Sequence, residues 1–299
     1  DFHAEGLEAV LHEQQGGWAE RDKTVQGLAQ LARGEGVRLL EGVEVTGFNI
    51  RGGQVHTVET TEGPIRAEMV IVAPGPWAVR FWQMLCLPLR VDVHARDGVV
   101  SRPMFTYMKL QEGEVHTDVD YATTTGGEPP VIHVDHNIPL VSDMTGQVIT
   151  TDPWGIYFKR DRGGVQGGAV PLPLGTEVNL EPYGHDNPAH VVDESFADYF
   201  TAGLAWTLDR FKGRSRSYKQ RPNGGIGAFT PDNFPVFDFL LPNVYVVADS
   251  NHGFKMLGVG KAVASLLTGG EAPSLKPFRF SRYAEGALHP TSHSPYPWN

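Results

Sequence analysis

The chain has 299 residues, 40% of them hydrophobic, and a formal net charge of −10 at pH 7. That length and apolar content exclude a disordered chain and leave room for two domains or one elaborate one. The absence of any basic block argues against nucleic acid and anionic membrane surfaces as partners, and no apolar run approaches the roughly 20 residues of a membrane span. Cys86 is the single cysteine, which excludes an internal disulfide and fits a reducing, cytoplasmic compartment. Among Phe81, Trp82, Met84 and Leu85 it reads as a buried, inert thiol. The chain opens at Asp1 without a methionine, in ordinary globular sequence, the mark of a fragment or a processed product.

In chain order, Asp22 is placed to cap a helix over 23–34. Its apolar face is Val25, Leu28, Ala29 and Ala32, at spacings of three and four, and Gly34 and Gly36 end it. Strand-like runs follow at 43–50, 54–60 and 69–73, the first two joined by the hairpin signal Arg51-Gly52-Gly53. The third, MVIVA, is apolar throughout, so a strand covered on both faces is expected. A helix is expected at 77–85. From Leu89 to Arg221 short alternating strands surround one strong helix over 193–211, whose stripe is Phe196, Phe200, Leu204, Leu208 and Phe211. The polar stretch 116–130 reads as a surface excursion. From Pro222 the α/β texture returns: an apolar strand VYVVA at 244–248, a glycine-bearing loop, a helix at 259–267, and a loop-like tail after Tyr283. The layout predicts an α/β domain built from residues 1–88 and 222–299, with a β-rich α+β domain, 89–221, inserted between them.

The chemistry concentrates in the loop after VYVVA, which reads DSNHGFKMLGVG. A buried strand runs into Gly253, Gly258 and Gly260, and the loop opens a helix. Small residues let backbone approach a ligand, and a helix N-terminus offers unpaired N–H groups and partial positive charge. Lys255 adds a flexible cation. The same features also fit a loop that merely turns the chain, with Lys255 in solvent.

Thr230-Pro231-Asp232, His252-Gly253-Phe254-Lys255 and Gly258-Val259-Gly260, in that order, resemble the C-terminal signature of the D-amino-acid-oxidase superfamily, in its sarcosine oxidase and dimethylglycine dehydrogenase branch. Upstream, the helix at 23–34, the strand GVEVTGF, the hairpin and MVIVAPGPW (69–77) resemble that family's run from its second βα unit to the A-x-G-x-W turn. The resemblance covers both flanking segments well and the middle loosely. It implies a glutathione-reductase-like FAD-binding domain and an enzyme that removes a hydride equivalent from the carbon beside an amine nitrogen of an amine or N-substituted amino acid. It further implies Lys255 gripping the substrate carboxylate, with His252 beside it in the catalytic loop. Gly258 and Gly260 would face the pyrimidine end of the flavin, where fixed N–H dipoles stabilise developing charge. Val45 would pass the adenine side. Ala73, Gly75, Trp77, Gly227, Asp232, Gly253 and Phe254 would complete the cofactor surface, and Tyr157 and Phe158 the substrate cavity.

Departures from the family pattern are equally informative. The opening strand, G-x-G-x-x-G turn and helix that cradle the FAD pyrophosphate are absent from these residues. A missing N-terminal segment or a second subunit is expected to supply them. Gly225 aligns where monomeric sarcosine oxidases carry the flavin-attaching cysteine, so a non-covalent flavin is expected. Gln166 aligns near the lysine that helps oxygen react in those oxidases, favouring a dehydrogenase. Phe158 replaces their substrate-site tyrosine, so sarcosine itself is not the expected substrate. Asp249 replaces a loop glycine without a physical account.

Other clusters read as structure. His133 and Asp135 would share one strand face with His136 on the other, and His116, Asp118 and Asp120 resemble a polar surface strand, so no metal is expected. Ser250, His252 and Asp249 lack a nucleophile elbow. Trp154 and Tyr157 fit either core or cavity. The competing functions are oxidation of a 2-hydroxy acid, since Lys255 would serve any carboxylate, and a non-catalytic subunit that no longer binds flavin.

Overall fold

The computed structural model describes residues 1–12, 14–122, 127, 129–161, 163–184, 186–220, 224–248 and 256–288. The first part carries α1 (Arg21–Gly34), β1 (Val45–Arg51), β2 (Gln54–Thr60), β3 (Ile65–Arg66), β4 (Val70–Val72) and α2 (Ala78–Met84). The middle carries β5 (Arg90–Ala95), β6 (Gly98–Pro103), β7 (Thr106–Leu110), β8 (Glu112–His116), α3 (Val119–Ala122), β9 (Ile132–His136), β10 (Leu140–Val141), β11 (Val148–Thr150), β12 (Trp154–Asp161), β13 (Gly164–Ala169), β14 (Leu172–Gly175), α4 (Glu194–Thr207) and β15 (Tyr218–Gln220). The last part carries β16 (Gly225–Phe229), β17 (Val236–Leu241), β18 (Val244–Ala248), α5 (Met256–Leu267) and α6 (Arg282–Glu285).

Two sheets position the chemistry. In the first, ordered β17-β18-β4, β18 and β4 run parallel with Val244 opposite Val70 and Val246 opposite Val72. Their C-terminal ends therefore point the same way, and in open α/β sheets that is the end where ligands bind. The second sheet is antiparallel and ordered β15-β8-β13-β12-β9. One face of it packs under α4: Trp154, Ile156, Phe158, Val165 and Val115 meet Phe196, Phe200 and Leu204 in one core cluster. A third sheet, β14-β7-β16, shares a core cluster with the first through Tyr107, Ile226 and Ala228, and in it β16 pairs with β7 along its whole length. A strand from beyond residue 222 is thus hydrogen-bonded to the inserted block. The first residues belong to that block as well, since Phe2 bridges Leu208 and Asp1 pairs with Arg210.

Several expectations are corrected. Asp22 lies inside the first turn of α1, and Glu20 occupies the cap position without a side-chain bond. The apolar face of α1 exists, yet none of its residues is buried, and Val25, Leu28 and Leu31 are exposed. β4 is not covered on both faces: Val70 and Val72 are buried, but Ile71 is 52% exposed, because among the described residues β4 has a neighbour only on its β18 edge. Cys86 is exposed rather than buried. It follows the end of α2 with φ 56, the left-handed geometry that closes a helix, and this turns its side chain outward while Trp82 and Leu85 fill the core. The stripe of the long helix holds, but the helix stops at Thr207; Leu208 and Phe211 reach the same core from an extended residue and a short 3₁₀ turn.

Candidate active site

The turn after β4 is built around Gly75, whose φ of +56 places it in the left-handed region; a Cβ added there would meet no atom within 4 Å. Only glycine takes that conformation without strain, and nothing in the described chain fills the space it opens onto. Pro76 follows in a 3₁₀ turn, and its carbonyl accepts from the Tyr107 hydroxyl at 2.9 Å. Tyr107 is buried on β7, and burial pushes its phenol up to about 12, so it donates at any physiological pH. Because Tyr107 stands opposite Ala228, this bond ties the Gly75 turn to the strand that carries Gly227. Gly227 is itself required by packing: a Cβ there would lie 2.6 Å from the Phe229 ring. Val45 starts β1, which is held to α2 by the Arg80–Glu44 ion pair and the Phe48–Phe81 edge contact. Val45, Ala73, Gly75, Trp77 and Gly227 are thereby linked through one connected framework.

Gly258 and Gly260 open the first turns of α5, exposed and with nothing near their Cα positions. Lys255, His252, Gly253 and Phe254 lie outside the described residues, as do Asp249 and Ser250.

Asp232 is placed differently from a cofactor ligand. It is 4% exposed, and Arg282 donates to both of its oxygens at 2.8 Å. Burial opposes ionisation of this carboxylate, but the Arg282 hydrogen bonds and charge, the Phe234 N–H and the Thr230 hydroxyl outweigh it and hold its pKa below the usual range. Arg282 also donates to the carbonyls of Phe278 and Phe234, and it contacts the Tyr283 hydroxyl. The T-P-D stretch is therefore a buried anchor between the tail and the start of β17.

The substrate-side residues separate by face. Side chains alternate along a strand, and residues directly opposite in an antiparallel pair share a face. Phe158, 2% exposed, points with Trp154 and Ile156 into the core under α4, and the Trp154 indole donates to the Ile138 carbonyl. The structure thus assigns Phe158 and Trp154 to the core. Tyr157 lies on the opposite face, in a row with His133, Gly168 and Glu112. Its ring lies across Gly168, where a Cβ would come within 2.6 Å of the phenol, and its hydroxyl reaches Glu112 Oε1 at 3.1 Å. Burial, then the negative charge of Glu112, push the Tyr157 phenol far up, so it stays a donor. The His133 ring stacks on it at 5.5 Å. The next row on this face is Lys219, Glu114, Gln166 and Lys159. The Lys159 ammonium lies 4.0 Å from the Trp18 ring and 3.5 Å from Asp161.

One residue connects this face to the Gly75 turn. Arg21, whose guanidinium is held charged first by its hydrogen bond to Asp22, also lies within electrostatic reach of Glu112 and of Tyr183. The Tyr183 ring is 4.8 Å from that of Trp77, and the Trp77 indole donates to Glu181 at 3.0 Å. Arg21, Glu112 and Tyr183 had no signal in the sequence. The alternation Glu112, Glu114, His116 along one strand was the available hint, but which strands lie beside it is not written there. His136 stands on the face opposite His133, against Trp154 and Trp206, and among the described residues no three His, Cys, Asp or Glu side chains are grouped to hold a metal ion.

With this geometry in view, the model of the family described as "FAD dependent oxidoreductase" matches residues 2–266. The chain belongs to that family. It is 25% identical over 285 residues to the sarcosine oxidase subunit beta of an Arthrobacter species, covering 93% of this chain and 58% of that protein. It is 45% identical over 76 residues to a D-amino acid dehydrogenase of Cereibacter sphaeroides, covering 25% of this chain and 17% of that one. Among solved structures, an L-proline dehydrogenase from P. horikoshii superposes with a TM-score of 0.61 at 20% identity, over 91% of this chain and 62% of that chain. A glycine oxidase from Bacillus cereus gives a TM-score of 0.50 at 16% identity. These last two likenesses concern the fold. The chain spans less than two thirds of the length of each of these relatives. The family so described is one of FAD-dependent oxidoreductases, and the mixed helix and sheet architecture of this chain matches the fold of the L-proline dehydrogenase and the glycine oxidase. No helix among the described residues is long and apolar enough to cross a membrane.

Proposed function

We propose that this chain forms the substrate-binding part and the C-terminal cofactor-binding part of an enzyme that oxidises the C–N bond of an amine or N-substituted amino acid. The observation that carries the reading is the continuity from the open Gly75 turn, through Trp77, Tyr183 and Arg21, to the polar sheet face bearing Glu112 and Tyr157. The residues present fit a flavin: a left-handed glycine facing open space, parallel strands ending on the same side, and a glycine-bearing helix start at Gly258 and Gly260. Bound FAD would supply the hydride acceptor. This chain's residues supply the rest. Lys255, which precedes α5 in sequence, is the proposed grip for a substrate carboxylate. Tyr157 remains a hydrogen-bond donor on the proposed substrate face.

In this reading the pyrophosphate cradle comes from a segment N-terminal to these residues or from a second subunit. The exposed faces of α1 and β4 favour it, since Val25, Leu28, Leu31 and Ile71 otherwise present apolar surface to water. The flavin is held without a covalent bond, because Gly225 stands where an attaching cysteine is expected. Gln166 on the substrate face favours a dehydrogenase over an oxidase. Product analysis of the full-length protein tests the reaction. An N-methyl amino acid should yield formaldehyde and the demethylated amino acid, or a keto acid and methylamine, whereas oxidation of a 2-hydroxy acid to a keto acid without reaction of any amine would support the rival chemistry.

A further inference from the structure

His190 is a buried polar group with no part in the site described above. It closes the short 3₁₀ turn Pro188–His190, is 2% exposed, and both of its ring nitrogens are buried without a hydrogen-bond partner among the described residues. A neutral imidazole carries one donor and one acceptor, and burying them unmet opposes the closed structure around them. Its neighbours offer rings and backbone instead. The Tyr183 ring meets it at 83° and 5.1 Å, and Tyr183 in turn lies 4.8 Å from Trp77.

The residues that hold His190 form one self-supporting loop, 179–193. Asn187, 3% exposed, pins it: its amide donates to the Asn179 carbonyl at 2.7 Å, and its oxygen accepts from the Ala189 N–H at 2.9 Å. Beside the Gly75 turn the loop is attached by the Trp77 indole bond to Glu181, by Leu180 in the core cluster of the first sheet, and by the Gly224 N–H, which donates to the His190 carbonyl at 2.7 Å. At its other end the Asp193 N–H donates to Gln111 at 2.6 Å and Lys109 pairs with Asp193, so the start of α4 forms a hinge.

The charged groups around the imidazole leave it without a counter-ion. β7 and β16 pack on the turn; β16 carries no titratable side chain, and β7 carries Tyr107, which stays protonated, and Lys109, which is held by Asp193. On the loop, Glu181 is engaged by Trp77, Asp186 is exposed, and Tyr183 lies within electrostatic reach of Arg21.

We propose that His190 makes loop 179–193 an acid-sensitive latch: with a neutral imidazole the loop is shut on Trp77 beside the Gly75 turn, and a proton taken up by the imidazole opens it. The protonated ring adds a second N–H and a charge where no acceptor faces it. Burial lowers the His190 pKa, so the closed loop binds the proton less readily than the open one. Closure is therefore favoured above the exposed-histidine value of about 6.5 and weakens as the pH falls through it. The latch stands or falls apart from the reaction proposed above, since it concerns the loop alone.

Hydrogen–deuterium exchange of the full-length, FAD-loaded protein, corrected for the intrinsic pH dependence of exchange, reads the opening. Between about pH 7.5 and 5.5, protection across 179–193 should fall about 5- to 10-fold, the change for uptake of one proton, while β7 and α4 hold within about 2-fold. Carboxylates ordinarily take protons around pH 4, below this window. His190→Phe puts an apolar ring of similar shape in place of the imidazole, and its protection should stay within about 2-fold between the two pH values. His190→Leu makes the same comparison if the Phe variant does not fold. Wild-type protection that stays level across the window, or a fall of the same size in His190→Phe or His190→Leu, would overturn the latch.

Discussion

Removing the Arg282 guanidinium tests how the tail anchors the segment that leads into β17. Arg282 and Asp232 have side-chain exposures of 1% and 2%, and two bonds of 2.8 Å join them. In Arg282→Met the stem remains, but Asp232 is left as a buried, unpaired carboxylate, which costs about 3–5 kcal/mol. An unfolding entropy of about 2.1 cal/mol/K per residue implies about 0.6 kcal/mol per degree for a chain of this size, so Tm should fall by about 5–8 °C. The double variant Asp232→Leu/Arg282→Met removes both charges and should recover much of the loss, because the penalty lies in the unpaired partner. The folded pKa of Asp232 is depressed, so its contribution is present above the unfolded carboxylate value of about 3.9 and is lost as pH falls through the folded value. Wild type should therefore lose stability on acidification in a way that Asp232→Asn does not. Thermal melts of the four proteins across acid pH settle the matter. A loss in the double variant as large as that in Arg282→Met, or a loss in Arg282→Met below about 1 kcal/mol, would refute the reasoning.

Gly75→Ala forces a left-handed φ on a residue with a Cβ and should cost about 1–2 kcal/mol. The methyl enters open space that the proposed flavin would fill, so flavin content on purification should fall more than Tm; unchanged flavin content would separate Gly75 from the cofactor. Lys255→Met should lower kcat/KM for a carboxylate-bearing amine roughly 10- to 100-fold and leave an uncharged amine of the same shape nearly unaffected; equal losses in steady-state assays would remove Lys255 as the carboxylate grip. Acid or heat should release all flavin from the full-length protein. Flavin fluorescence retained on the denatured polypeptide would contradict the reading of Gly225.

Much of the fold was legible because its signals are local. The 54–60 and 244–248 strands match β2 and β18 residue for residue, and the phenylalanine stripe located α4 and its core. Local signals failed where neighbours decide. MVIVA reads as a fully buried strand, yet β4 buries only one face because burial depends on what lies beyond its edge. Asp232 belongs to a recognisable T-P-D string, but its partner is fifty residues away in a short helix that no periodicity announces. Tyr157 and Phe158 are neighbours on β12, and the two-residue period sends them to opposite faces, so only one of them shares the face of Glu112. Register then placed Glu112 beside Tyr157 across an intervening glycine, a relation invisible without the sheet order β8-β13-β12.

The most direct test of the central claim is anaerobic mixing of the full-length, FAD-loaded protein with an N-methyl amino acid and, separately, with the 2-hydroxy acid of the same carbon skeleton. Loss of the visible flavin absorbance with the amine and not with the hydroxy acid is the predicted result. Bleaching by the hydroxy acid alone, or by neither compound nor any of a panel of amines, would contradict the account.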